Sequence, residues 1–240
     1  MSTSVSSIGV LRLYQSTIGK KVIMAITGLI WIGFVVMHMY GNLKVFGFFG
    51  GGAEYFNEYA HGLREFGHPI LGPKHFLILF RLLLIFALAA HVWAFFTLTR
   101  QSQSARPTGY GRHRTLATNP ASLYIRWGGV AILFFIIFHL AHFTWYPPFS
   151  VNPDYIPGDA YHNLVSGFQM WGGAVSIIYF IALAALALHL YHGTWSMFQT
   201  LGLNNKTYTT FIRILATLVA VSIPLGFALV PLAILFGFIS

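Results

Sequence analysis

The sequence predicts an all-α polytopic membrane protein that crosses the bilayer five times. Its 240 residues are 56% hydrophobic and only 8% charged, a balance that is atypical of soluble domains. Five apolar stretches are long enough to cross the hydrocarbon as helices. They lie near residues 22–46, 75–99, 122–146, 168–198 and 209–238. We expect residues 1–240 to form one membrane domain without a cleavable signal peptide, because the first stretch is long enough to stay in the bilayer.

The segments between the spans differ in character. The stretch AEYFNEYAHGLREF has apolar residues at helical spacing and Glu54 in its first turn, where a carboxylate suits the helix dipole. We therefore expect an amphipathic surface helix at about residues 53–66. The loop over residues 100–121 is polar and basic, whereas the proline-rich loop over residues 147–163 is expected to be irregular. Pro224 and Pro231 predict kinks in the fifth span.

The basic residues predict the orientation. Ten of the fourteen Lys and Arg residues fall on the side of the N-terminus, so the positive-inside rule puts the N-terminus in the cytoplasm and the C-terminus outside. The same rule explains the net charge of +9, and no nucleic-acid partner is expected. The chain has no cysteine, so it cannot bind a conventional iron–sulfur cluster by itself.

Histidines inside the apolar runs are the candidate functional residues, because an ionisable side chain is costly in hydrocarbon. The fifth span has none, and the first four have, in order, His38, His91, His139 or His142, and His189 or His192. In each span the histidine comes late, and successive spans run in opposite directions. The first and third histidines therefore lie toward the outer face, and the second and fourth toward the cytoplasm.

Two imidazoles that face each other at one depth suit a six-coordinate haem, because the porphyrin supplies four nitrogens and the protein adds one on each side. Helix-bundle cores hold such cofactors. The pattern thus predicts a four-helix bundle core with two haem b groups. Zinc fits less well, since a structural site needs four ligands at one point. A proton relay usually includes carboxylates, and none lies in the predicted spans.

Small residues accompany these histidines, among them Gly28, Gly33 and Gly41 in the first span and Gly128 and Gly129 in the third. They would let a flat macrocycle approach the helices. They would equally permit close packing of one helix against another, which is common in membranes.

Three motifs resemble a known family: HMYGNL at 38–43, GAEYFNEYAHGL at 52–63 and HLYHGTWSMF at 189–198. They are similar to the cytochrome b membrane anchors of succinate dehydrogenase and fumarate reductase, in the single-chain, five-helix, di-haem form. KKVIMAITGL at 20–29 fits the same group, and the resemblance covers about residues 16–238. The axial ligands that it implies are His38 and His139 for the outer haem, and His91 and His189 for the inner haem.

The resemblance also implies a function and partners. Such anchors carry electrons to a membrane quinone within succinate:quinone oxidoreductase, in the bacterial cytoplasmic membrane. A flavoprotein subunit and an iron–sulfur subunit bind on the cytoplasmic side and hold the dicarboxylate chemistry. Menaquinone is a better expectation than ubiquinone. Some fumarate reductases of the family have a proton-carrying glutamate two residues before the fourth ligand; Ala187 stands there, so no such pathway is expected.

Each haem would bring two propionates, which need cationic partners, and the quinone would also need contacts in the protein. Candidate partners of the haem propionates are Arg81, Lys44 and Arg64 at the outer end and Arg126 and Arg213 at the inner end. Candidate quinone contacts at the outer end are His142, Trp145, Glu54 and Glu58, with an alternative inner site near Ser16, Thr17 and Lys20. Two other functions stay open: a haem-free proton channel or transporter, and a different quinol-oxidising cytochrome b with periplasmic partners.

Overall fold

A computed structural model describes residues 15–47, 52–104 and 120–240, with only the backbone described for residues 120–124. Within these residues α-helices and two short 3₁₀ segments are the regular elements. The α-helices are α1 (Thr17–Leu43), α2 (Ala53–Glu65), α3 (His75–Ser104), α4 (Pro120–Phe143), α5 (Ala160–Gln169), α6 (Val175–Thr200) and α7 (Thr209–Leu235). Helices α1, α3, α4, α6 and α7 are long and apolar enough to cross a membrane. The predicted all-α membrane fold with five spans is confirmed.

The first span starts earlier than the hydropathy predicts. Helix α1 begins at Thr17, where the side chain of Ser16 accepts a hydrogen bond of 2.9 Å from the N–H of Gly19 and caps the first turn. Hydropathy rises only after Lys20 and Lys21. The apolar pattern therefore misses a first turn that the cap residue defines.

The fourth span starts later than predicted, and the loop before it is partly helical. Helix α5 begins after Asp159, whose carboxylate accepts a hydrogen bond of 2.9 Å from the N–H of His162. Trp171 and Gly172 then adopt φ values of 53° and 63°, which separate α5 from α6. The predicted start at residue 168 and the irregular loop over residues 147–163 are thus wrong in part, because apolar residues on both sides hide the break.

Helix α2 is the amphipathic helix predicted over residues 53–66, and it packs on α5. Phe56 is buried beneath it. The side-chain amide of Asn57 donates to a carboxylate oxygen of Asp159, while its oxygen accepts from the N–H of Tyr161, both at 2.9 Å. These reciprocal bonds join α2 and α5 into a cap over one end of the bundle.

The four helices that carry the predicted ligands form an open row. Helix α1 packs on α3 and α6, and α6 packs on α4, whereas α3 and α4 hardly touch each other. Helix α7 lies behind α1 and α6 and makes its most extensive contact with α6. It continues through the buried Pro224 and Pro231. We call the end of the bundle with Lys21 and Arg213 the N end, and the end with Lys44 and Phe143 the C end.

Candidate functional site

The four predicted ligand histidines lie in two pairs. The ring centroids of His38 on α1 and His139 on α4 are 5.8 Å apart, and those of His91 on α3 and His189 on α6 are 6.2 Å apart. Each pair joins two helices that otherwise make little contact. The structure therefore brings together the residues that the sequence assigns to each pair.

Both pairs line one cavity of about 2140 Å³, which extends from Lys21 at the N end to Tyr155 at the C end. A single drug-sized ligand occupies roughly 300–1,000 Å³, so the cavity has room for two large groups. Gly28 lies level with the His91/His189 pair. At a rise of 1.5 Å per residue, His38 is ~15 Å farther along α1. The two pairs thus lie at different depths of the same cavity.

A glycine from a neighbouring helix backs each ring of the His91/His189 pair. A Cβ atom at Gly28 would lie 3.6 Å from Cε1 of His91, and one at Gly129 would lie 3.6 Å from Cε1 of His189. Gly28 precedes His38 by the same spacing as Gly129 precedes His139. Helices α1 and α4 therefore present equivalent surfaces to this pair.

Aromatic rings surround the other pair. Phe34 stacks on His38 with a centroid distance of 5.2 Å, and Phe227 lies 5.6 Å from the same ring. Phe135 and Phe143 lie 5.7 Å and 5.6 Å from the ring of His139. The two pairs thus have different surroundings: glycine against one, aromatic rings around the other.

Hydroxyl groups contact one ring of each pair. Oγ1 of Thr27 is 3.1 Å from Nδ1 of His91. The Tyr179 hydroxyl is 3.3 Å from Nδ1 of His139 and 2.7 Å from Nδ1 of His142. By contrast, Nδ1 of His189 is buried and has no hydrogen-bond partner in the described part of the chain. In each pair, the Nδ1 atom of one ring thus contacts a hydroxyl group on another helix.

The donor set suits haem iron. Each metal–imidazole bond is ~2 Å long, so two rings that bind one ion from opposite sides have centres about 6 Å apart, close to both observed distances. Among residues 15–47, 52–104 and 120–240, no three His, Cys, Asp or Glu side chains converge on a possible metal position. Two isolated pairs suit a metal that brings its own four equatorial nitrogens. The residues therefore fit two haem groups.

Two of the candidate cations at the C end line the cavity. Arg81 and Arg64 both do so, beside Tyr155. Burial raises the pKa of Tyr155, with a further contribution from Tyr146, while the two arginines oppose the increase. Arg81, which the sequence predicts as a propionate partner, is thus placed where such a group could reach it, and Arg64 accompanies it.

Lys44, Arg126 and Arg213 are not part of the cavity lining. Nζ of Lys44 contacts the Tyr55 hydroxyl at 3.2 Å and lies over the rings of three tyrosines. The guanidinium of Arg213 lies over the ring of Trp195, 5.0 Å from its centroid. These aromatic contacts account for the positions of Lys44 and Arg213. None of the three cations lines the cavity in which the histidine pairs lie.

Four polar residues at the N end of the cavity were not predicted as a group. His192, Ser196 and Gln199 on α6 line the cavity together with Lys21 on α1. The signal was present in the sequence, since these α6 residues recur at helical spacing on one face of an otherwise apolar helix. Together with Thr200 they form a polar lining at the N end of the cavity, which includes neither Arg126 nor Arg213.

The predicted quinone contacts are not brought together. Trp145 lines the cavity, but His142 is 0% exposed and outside the lining, with its ring packed against Phe143 and α5. Glu54 and Glu58 are exposed, because α2 turns Phe56 rather than its acidic face inward. At the N end, Ser16, Thr17 and Lys20 are likewise not part of the lining.

Comparisons of the chain with protein families, curated proteins and solved structures found no match. The resemblance to succinate dehydrogenase anchors therefore stays a prediction.

Proposed function

We propose that this chain is the di-haem cytochrome b anchor of a succinate:quinone oxidoreductase. The observation that carries the proposal is the placement of His38 with His139, and of His91 with His189, across one apolar cavity. The pairs have the spacing and donor chemistry that bis-imidazole iron requires. The sequence motifs are the reason for proposing this enzyme rather than another cytochrome b.

The chain's own residues would bind and enclose the cofactors. Each haem would be bound by one imidazole on either side. The haem propionates could pair with Arg64 and Arg81 at the C end, or with Lys21 and His192 at the N end. The apolar walls exclude water and keep the imidazoles neutral, which is the form that binds metal. Bound haem would supply a one-electron iron couple at each pair.

The location and the partners belong to the same proposal. The basic residues favour an N end that faces the cytoplasm of a bacterial cell, where a flavoprotein and an iron–sulfur subunit would bind. The quinone site would lie at the C end, near Trp145 and Arg81 rather than near Glu54 and Glu58. The resemblance favours menaquinone over ubiquinone.

The haem content of the purified chain tests the proposal. We expect two b haems per polypeptide by pyridine haemochrome assay, and a dithionite-reduced minus oxidised spectrum of a b-type cytochrome. Alanine substitutions at His38 or at His91 should each lower the haem content, whereas substitution of the exposed His61 should leave it at two. Protein without haem, even when co-expressed with its partner subunits, would refute the assignment.

A haem-free proton channel or transporter is the second candidate, because the cavity reaches from Lys21 to Tyr155 and has polar residues at both ends. This function predicts a colourless protein that conducts protons or a solute when it is reconstituted in liposomes. The haem assay and a flux assay on the same preparation separate the two functions.

A further inference from the structure

The hydrogen bonds at Nδ1 decide which nitrogen of a histidine can bind metal. A neutral imidazole has one N–H and one lone pair. A ring that uses the lone pair of Nε2 must carry its proton on Nδ1, and the group that accepts this proton fixes both the tautomer and the orientation of the ring.

The contacts of Thr27 favour one hydrogen-bond arrangement at His91. The Thr27 hydroxyl has a single hydrogen and lies 2.7 Å from the carbonyl oxygen of Ile23 and 3.2 Å from that of Met24. Carbonyl oxygens can only accept, so the hydroxyl donates within α1. Its oxygen is then the acceptor for Nδ1–H of His91 at 3.1 Å. In this arrangement His91 carries its proton on Nδ1 and has its lone pair on Nε2.

The Tyr179 hydroxyl contacts the rings of both His139 and His142, but it has only one hydrogen to donate. If it donates to His142 at 2.7 Å, its oxygen accepts Nδ1–H of His139 at 3.3 Å, and Nε2 of His139 is free to bind metal. The opposite arrangement would leave a proton on Nε2 of His139. The shorter distance favours the first arrangement, in which Nε2–H of His142 faces the backbone of Gly167.

We propose that Thr27 and Tyr179 are positioning residues that hold the Nδ1 protons of His91 and His139 and so direct Nε2 of each ring to iron. This inference rests on the proposed function. The two hydroxyls come from different helices and reach different pairs, so each acts on one haem. An acceptor at Nδ1 also makes the imidazole a stronger donor, which stabilises ferric iron more than ferrous iron and lowers the midpoint potential.

Redox titration of the purified chain with both haems bound tests this inference. Thr27→Val removes the hydroxyl and keeps the shape, Thr27→Ser restores it, and Tyr179→Phe removes the other hydroxyl. Thr217 makes the same type of intrahelical bond on an exposed face, and Tyr191 is an exposed tyrosine on α6. Thr217→Val and Tyr191→Phe are therefore matched controls.

We expect Thr27→Val to raise the midpoint potential of one haem and Tyr179→Phe to raise that of the other. A change of roughly tenfold in the relative affinity for ferric iron corresponds to ~59 mV for one electron. Thr27→Ser should return the wild-type value, and both controls should retain it. Selective loss of one haem, with the other at its normal potential, would support the same assignment.

Two results would overturn the inference while leaving the proposed function intact. One is a pair of unchanged midpoint potentials in both hydroxyl variants, each with two haems bound. The other is an equal change at both haems in either variant, because that would indicate a general structural effect. A wild-type chain without haem would overturn both proposals.

Discussion

Replacement of Gly28 by valine tests the packing of the His91/His189 pair. A Cβ atom at Gly28 would already lie 3.6 Å from Cε1 of His91, which is ordinary contact distance. Alanine should therefore fit. Valine is β-branched and nearly fixed in one rotamer within a helix, and its methyl groups extend ~1.5 Å beyond Cβ. A methyl group directed at His91 overlaps the ring unless the histidine moves.

The size of the effect follows from the cost of overpacking. Extra methyl groups in a packed interior cost about 1–3 kcal/mol, which corresponds to roughly 5–150-fold in affinity. Under the proposed function, we expect this loss only for the haem that His91 and His189 would bind, because Gly28 does not contact the other pair. Gly33, on the same helix, has no other atom within 4 Å of its added Cβ. Gly33 is also exposed and, unlike Gly28, does not line the cavity. Gly33→Val is thus the matched control.

Haem transfer to an excess of apomyoglobin measures the effect. In Gly28→Val, one of the two haems should leave about 5–150 times faster than in the wild type, while the other leaves at the normal rate. Gly28→Ala and Gly33→Val should release both haems normally. The reasoning would be refuted if Gly28→Val kept both haems at wild-type rates, or if Gly33→Val lost haem equally.

Three further predictions concern the C end, each measured by thermal unfolding in detergent. Asn57→Ala should lower stability by ~1–3 kcal/mol, because both bonds that join α2 to α5 are lost; an unchanged melting temperature would contradict this. Hydrogen bonds from His162 and Asn57 lower the pKa of Asp159. The contribution of Asp159 to stability is therefore complete at neutral pH, and it declines as the pH falls below the ordinary pKa of 3.8. Asn57→Ala should make the melting temperature less dependent on pH in this acidic range. Lys44→Met should melt at a lower temperature than Lys44→Arg, which keeps a cation over the tyrosine rings; equal values would argue against the cation–π contacts.

The sequence contains enough information for the spans and the depth of the histidines. Apolar length identifies a membrane helix almost independently of its neighbours. The alternating direction of the spans then assigns His38 and His139 to one level and His91 and His189 to the other. These features depend on position along a helix, which is read directly from residue numbers.

Contacts between helices could not be predicted from the sequence in the same way. Whether Thr27 faces His91, or Tyr179 faces His139, depends on how each helix is rotated about its axis. Lys44 was predicted as a partner of a haem propionate, but it contacts the tyrosines of α1 and α2 and does not line the cavity. The backbone break at Trp171 was also hidden, because hydropathy does not report φ.

The pairing of histidines across the cavity has a consequence for biosynthesis. Helices α1 and α3 form one hairpin, and α4 and α6 form the hairpin that follows it in the chain. Each histidine pair has one member from each hairpin. The ribosome therefore completes the His38/His139 pair when α4 emerges and the His91/His189 pair only when α6 follows. Helix α7 follows α6 in the chain and packs behind α1 and α6, so all four histidines are synthesised before the helix that braces the two hairpins.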